Sequence, residues 1–168
     1  MADDVIIDTS TLINFLRIGR VDLLADLVAY RFVVTDHVRA EVTTHYPLQL
    51  QNLEAALRSG HLSEITLTDP SEHAVFASMQ SLRVLGDGEC SAIAAAVVRG
   101  RRLAIDDAVA RKKTATHYPA IPVLNTVALV VEAIHAGLLT IAEADAIKAD
   151  WETIHRFRLR FSSFGEVV

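Results

Sequence analysis

Five carboxylates at four places in this chain stand where an α/β protein can use them chemically. Asp8 ends the run "VIID", Glu41 lies one or two turns into a helical pattern, Glu89 falls in the first turn of another, and Asp106 and Asp107 end "RRLAIDD". In an open parallel sheet, ligands sit beyond the carboxyl ends of strands, near the point where strand order reverses. If these acids converge, two carboxylates about 4 Å apart repel by about 4 kcal/mol at an effective dielectric of about 20. Such a cluster needs a cation, some protonated members with raised pKa values, or dispersal to solvent. Hard oxygen donors with no His or Cys among them suit Mg2+ or Mn2+ rather than Zn2+. A carboxylate site that leaves positions open to water and substrate suits phosphoryl chemistry.

Each acid also has a plain local role. Asp8 caps the helix that follows it, Glu41 is a solvated helix acid, Glu89 is a first-turn acid with Asp87 as the cap, and Asp106 and Asp107 are a cap and its neighbour. Each role is reasonable alone, but all of them would have to coincide at one sheet edge.

The elements that must position these acids alternate along the chain. "DVIID" (4–8) is a strand, followed by a helix carrying Leu12, Ile13, Phe15 and Leu16. "RFVVT" (31–35) is a second strand, with Asp36 as N-cap of a helix holding Val38, Glu41 and Val42. A helix over 47–59 begins at a proline and stops at Gly60, and "HLSEITL" (61–67) is a further strand or an extended connection. Asp69, Pro70 and Glu72 open a helix to about Arg83. Asp87 caps an apolar helix ending before Gly100, "RRLAIDD" (101–107) is a strand, and "IPVLNT" (121–126) is a strand passing into a helix capped by Asn125. "TIAE" (140–143) is a capping box for the last long helix. Short apolar strands each followed by a helix imply an α/β fold with a mostly parallel sheet covered on both faces.

Composition sets the frame. With 168 residues, 51% of them hydrophobic and 22% charged, the chain suits one domain over 1–168 with a sizeable core, and no linker or repeat divides it. A mean hydropathy of +0.31 fits a sheet buried on both faces, or apolar surface kept for a partner subunit. The net charge of -5 provides no global field to attract nucleic acid, so a phosphate-bearing partner would have to meet a local patch or a metal ion. Cys90 is the only cysteine, which excludes an internal disulfide and any multi-cysteine metal site, and it reads as a small buried residue on an Ala-rich helix. The N-terminus lacks the features of a signal peptide and no apolar run is long enough to cross a membrane, so a cytoplasmic location is expected.

"VIIDTSTL", "VTDHVRAEV", "LGDGECSAIAAA" and "RRLAIDDAVARKKTA" resemble, in order and spacing, the successive acidic motifs of PIN-domain proteins, the fold of VapC toxins and related metal-dependent nucleases. The resemblance covers roughly residues 4–140, leaving a C-terminal helix and arginine-rich tail over 141–168. It implies a three-layer α/β/α sandwich and cleavage of RNA by metal-activated water, leaving a 5′ phosphate. It also implies Mg2+ or Mn2+ as cofactor, frequent homodimerisation, and a small antitoxin partner when the protein is a toxin. Asp8, Glu41, Glu89 and one of Asp106 and Asp107 match the family's four acidic positions. The register favours Asp107, with Asp106 adjacent. By this likeness Asp8, Glu89 and Asp107 bind ions, and Glu41 orients water or a second ion. Ile105 stands where many relatives place Thr or Ser, so a helper hydroxyl would have to come from Thr9, Ser10, Thr126 or the Asn125 amide.

Other residues carry less. None of the seven histidines forms an i, i+4 pair, and His37, nearest the acids, suits a surface or capping role. Ser10 and Thr11 have no general base at a readable spacing. "RKK" (111–113), a turn after the Asp pair, is a solvated helix face or a phosphate contact. "HRFRLRF" (155–161) alternates Arg156, Arg158 and Arg160 with Phe157, Leu159 and Phe161, which suits an edge strand or an extended tail with an arginine face. Trp151 and Tyr30 read as packing residues, and Val21, Leu23, Leu24 and Leu27 as core before any dimer or antitoxin groove. Two other readings compete with the nuclease. One is a PIN-like module that binds a protein partner without catalysis. The other is a phosphoacceptor domain, which wants a Lys at a late strand end where this chain has Asn125.

Overall fold

The computed structural model describes residues 1–43 and 45–168. Its first strand, β1 (Asp3–Ile7), is built from Val5, Ile6 and Ile7, all buried, so neither face of the strand meets water. A strand covered on both faces belongs to a parallel sheet with helices above and below. β2 (Tyr30–Thr35), β3 (Ser63–Ile65), β4 (Arg102–Ala104) and β5 (Val123–Leu124) complete a sheet of order β3-β2-β1-β4-β5, with every neighbouring pair parallel. Ile6 lies opposite Val33 on one side and Leu103 on the other.

The order decides where a site can form. The chain moves from β1 outward to β3, then returns past β1 to β4 and β5. Right-handed crossovers place the helices of the two directions on opposite faces, which makes the three layers. The reversal falls between β1 and β4, where the helices that follow the two strands diverge and open a crevice.

Helix boundaries follow their caps. α1 (Thr9–Arg17) is capped by Asp8, and α2 (Asp22–Asp26) turns the stripe of Val21, Leu23, Leu24 and Leu27 into the core, where all four are buried. α3 (Asp36–Glu41) is capped by Thr35 and not by Asp36 as the sequence suggests. The Thr35 hydroxyl accepts from the Val38 amide at 3.1 Å and also pairs with the Ser91 hydroxyl at 2.6 Å, so it sits one residue deeper than the exposed Asp36 would. α4 (Pro47–Ser59) ends at Gly60 in the left-handed region (φ 78°), as its sequence predicts. α5 (Pro70–Gln80) carries the expected Asp69 and Glu72 capping box and stops short of Arg83.

α6 (Asp87–Arg99) begins one residue earlier than expected, with Gly86 in the cap position and Asp87 inside the first turn. It is the most buried helix, with Cys90, Ser91 and Ala92–Ala96 all out of solvent, and it packs on α5, α3 and strands β1, β2 and β4. Small side chains allow that close approach. α7 (Ala108–His117), α8 (Thr126–His135, capped by Asn125) and α9 (Ile141–Thr153, opened by the Thr140 and Glu143 capping box) complete the helical layers. No helix is long and apolar enough to cross a membrane among the described residues.

The tail after α9 is extended and joins no sheet among the described residues, which decides between the two readings of "HRFRLRF". Its period of two is real. Phe157, Leu159 and Phe161 pack on the core while Arg156, Arg158 and Arg160 face solvent. Phe157 meets the buried Trp151 edge-on, and Trp151 meets Phe15 of α1 in the same way.

Candidate active site

Strand β1 hands its last residue to a helix cap. The Asp8 amide still donates to the Ala104 carbonyl of β4 at 2.9 Å, so Asp8 continues the sheet while its side chain turns to α1. Oδ2 accepts from the Ser10 amide at 3.0 Å and the Ser10 hydroxyl at 2.7 Å. Oδ1 is buried and has no hydrogen-bond partner among the described residues. Burial, followed by the charge of Glu41, pushes the Asp8 pKa up to about 6 against the Ser10 bonds that favour its ionised form.

The other acids arrive at the same edge. Ile105 extends the β4–β5 ladder, its amide on the Leu124 carbonyl at 3.0 Å, and fills core. The chain then turns, and the Ser10 hydroxyl accepts from the Asp106 amide at 3.0 Å and the Asp107 amide at 3.4 Å. Ser10 therefore touches Asp8 and both strand-end acids of β4. Glu41, at the end of α3, accepts from the Gly88 amide at 2.9 Å through Oε1 and from the Thr9 hydroxyl through Oε2. Gly88 is required there, because a Cβ on it would lie 2.4–2.6 Å from the Glu41 carboxylate. Glu89 reaches back to the Gly86 amide at 3.0 Å. Burial first, then the charges of Asp8, Asp107 and Glu41, push its pKa up to about 7.

The five acids divide by how their oxygens are used. Asp106 has both taken. Oδ2 accepts from the Thr11 hydroxyl at 2.8 Å and from the Thr126 hydroxyl, and both oxygens face the Thr126 amide at 3.2 Å. Glu41 is likewise satisfied at both oxygens. Asp8, Glu89 and Asp107 each use one oxygen on local donors, Asp107 by capping α7 through the Ala110 amide at 2.8 Å. Their second oxygens have no hydrogen bond among the described residues. Capping and site chemistry thus fall on different atoms of one carboxylate, so the two readings of Asp8 are compatible.

As placed, no three His, Cys, Asp or Glu side chains among the described residues close around a common point. Each acid leans instead on its nearest donor, the direction in which repulsion between like charges drives it. The donor set is nevertheless that of a hard divalent cation. Oδ1 of Asp8 is an anionic oxygen buried with nothing to neutralise it, a costly state that a cation relieves. Cys90, beside Glu89, stays out of this chemistry because burial pushes its thiol up to about 11 and keeps it protonated.

Sequence reasoning singled out the hydroxyls of Thr9, Ser10 and Thr126, each of which bonds one of the candidate acids, while Asn125 serves the α8 cap, accepting from the Ala128 amide at 2.8 Å. It missed Thr11 and Asn14. Asn14 is buried on α1 and donates to the Thr126 hydroxyl at 3.0 Å and the Ser10 carbonyl at 3.2 Å, while its own carbonyl accepts from the Trp151 indole at 2.8 Å. A polar residue between Leu12, Ile13, Phe15 and Leu16 was the available signal, since a buried amide needs partners.

No curated protein sequence matches the chain. Among solved structures, one chain of VapBC2 from Rickettsia felis bound to a DNA fragment from their promoter superposes with a TM-score of 0.52 at 12% identity. The match covers 73% of this chain and 98% of that one, a likeness of fold. The family model DUF3368, a PIN domain, matches residues 4–162 and so takes in α9 and most of the arginine-bearing tail beyond the four motifs. With Asp8 following β1 and Asp106 and Asp107 following β4 at the reversal of a parallel sheet, and that match spanning nearly the whole sequence, the chain belongs to the PIN-domain family.

Proposed function

We propose that this protein is a divalent-metal-dependent endoribonuclease, with Mg2+ or Mn2+ as its cofactor and, when paired with a small antitoxin protein, the role of a toxin. The observation that carries the reading is the unpartnered, buried Oδ1 of Asp8 at the β1/β4 reversal, with half-used carboxylates of Glu89 and Asp107 nearby. Asp8, Glu89 and Asp107 would hold the ion. A bound ion supplies Lewis-acid polarisation of a phosphodiester and a lowered pKa for attacking water. Glu41, pinned between Thr9 and Gly88, would orient water or a second ion. Asp106, fully engaged by Thr11 and Thr126, braces the turn that presents Asp107. The fold likeness to a chain of a VapBC complex supports the antitoxin partner. Homodimerisation and a cytoplasmic setting belong to the same reading.

A non-catalytic binding module is the second reading, favoured by the acids' reliance on their own donors and by the absence of a closed three-ligand cluster among the described residues. Incubating purified protein with single-stranded RNA, with Mn2+ or with EDTA, separates the two. Metal-dependent cleavage that Asp8→Asn abolishes is the expected result, and equal cleavage by that variant removes Asp8 from the mechanism.

A further inference from the structure

His37 is fixed more firmly than a surface histidine needs to be. Asp36 Oδ1 accepts from both the His37 amide and its Nδ1, each at 3.0 Å. The ring rests against Phe76 of α5, with centroids 5.1 Å apart and planes at 43°. Even so, 38% of the side chain stays in solvent. Asp36 and Phe76 therefore hold the ring in one orientation while leaving it accessible. Residues 37 and 41 are four apart on α3, so the imidazole and the Glu41 carboxylate rise from the same helical face, with Cβ atoms about 6 Å apart. Among the described residues the ring nitrogens bond only Asp36.

We infer that His37, propped by Phe76 and tethered by Asp36, is a stacking platform for a nucleobase of single-stranded RNA next to the phosphate held at the acid site. The inference rests on the ribonuclease reading for the identity of the strand. Base–aromatic stacking tolerates any sequence, since every base has a π-face, and it suits a chain whose net charge of -5 provides little general attraction for RNA.

Fluorescence anisotropy of labelled oligoadenylate, with the wild-type protein as parent and Ca2+ in place of Mg2+ to slow cleavage, measures the contact. His37→Ala is expected to weaken binding about tenfold or more, and His37→Phe to restore most of it, because stacking needs the ring and not its nitrogens. Thermal midpoints of the variants should match that of the parent, which excludes an effect through folding. Equal affinity for parent and His37→Ala, or a loss in His37→Phe as large as in His37→Ala, overturns the platform, as does failure of the parent to bind the oligomer. The enzymatic reading is separable: a wild-type protein that binds RNA through His37 but does not cleave it with Mn2+ sinks the nuclease and leaves the platform standing.

Discussion

Stability and function make opposite demands on Asp8. Its folded-state pKa of about 6 lies above the ordinary 3.8, so the folded chain holds this proton more tightly than the unfolded one. The stability that the protonated form contributes is complete below about pH 4 and is lost as pH rises through about 6. A shift of this size corresponds to about 3 kcal/mol for a group so buried. Asp8→Asn keeps the volume and the capping geometry without the charge. It should melt roughly 5–10 °C above wild type at pH 8, with the difference closing toward pH 4, as calorimetry at both pH values will read. Such a gain, alongside lost cleavage, marks a residue kept for chemistry rather than stability. Gly88→Ala tests the opposite case. Alanine favours the helix by about 1 kcal/mol, so the fold should persist. Its Cβ nevertheless displaces the Glu41 carboxylate, and RNA cleavage should fall about tenfold or more with little change in melting temperature.

Elements meet at the site through a buried polar chain that runs from Trp151 of α9 to Asn14 of α1, then to Thr126 of α8 and Asp106 after β4. Four segments distant in sequence are thereby tied to one acid. Thr126→Val removes the hydroxyl with little change of shape. It leaves one Asn14 amide N–H without its partner and removes one of the three donors to Asp106 Oδ2, at a cost of about 1–3 kcal/mol in urea unfolding, whereas Thr126→Ser should recover most of it. Most strand and helix identities here were legible because β1, β2, β4 and β5 contain short apolar runs and most long helices carry a polar cap, a leading proline or a closing glycine, whereas β3, Ser-Glu-Ile, carries no such signal. The cap positions at Thr35 and Gly86 were not legible. Adjacent residues Asp36 and Asp87 are equally good caps by type, and only the packing of Thr35 against Ser91, or the pull of Glu89 on the Gly86 amide, chooses between them.

At the scale of the whole molecule, metal binding must compete with protons. Asp8 and Glu89, held up to about 6 and about 7 by burial first and then by the charge of Glu41 on Asp8 and of Asp8, Asp107 and Glu41 on Glu89, must both ionise to serve as ligands. Mn2+ affinity, followed by titration calorimetry, should therefore strengthen steeply with pH across that range and release protons on binding. A saturating concentration of about 100 times Kd should stabilise wild type by about 2.7 kcal/mol at pH 8 and have little effect at pH 5 or on Asp8→Asn. An unchanged melting curve in Mn2+ at pH 8 counts against the ion site.

The sequence by itself determined the layered α/β class, the two strand ends and two helices where the candidate acids stand, and the alternation that turns Phe157, Leu159 and Phe161 inward. All of these are local patterns of residue type and period, which survive without knowledge of the rest of the chain. Only the tertiary structure decided that β1 lies between β2 and β4, which of each acid's two oxygens is already bonded, and that Asn14 and Thr11 belong to the same network. Those facts depend on contacts across up to 137 residues of chain, set by strand order and side-chain direction rather than by any local preference.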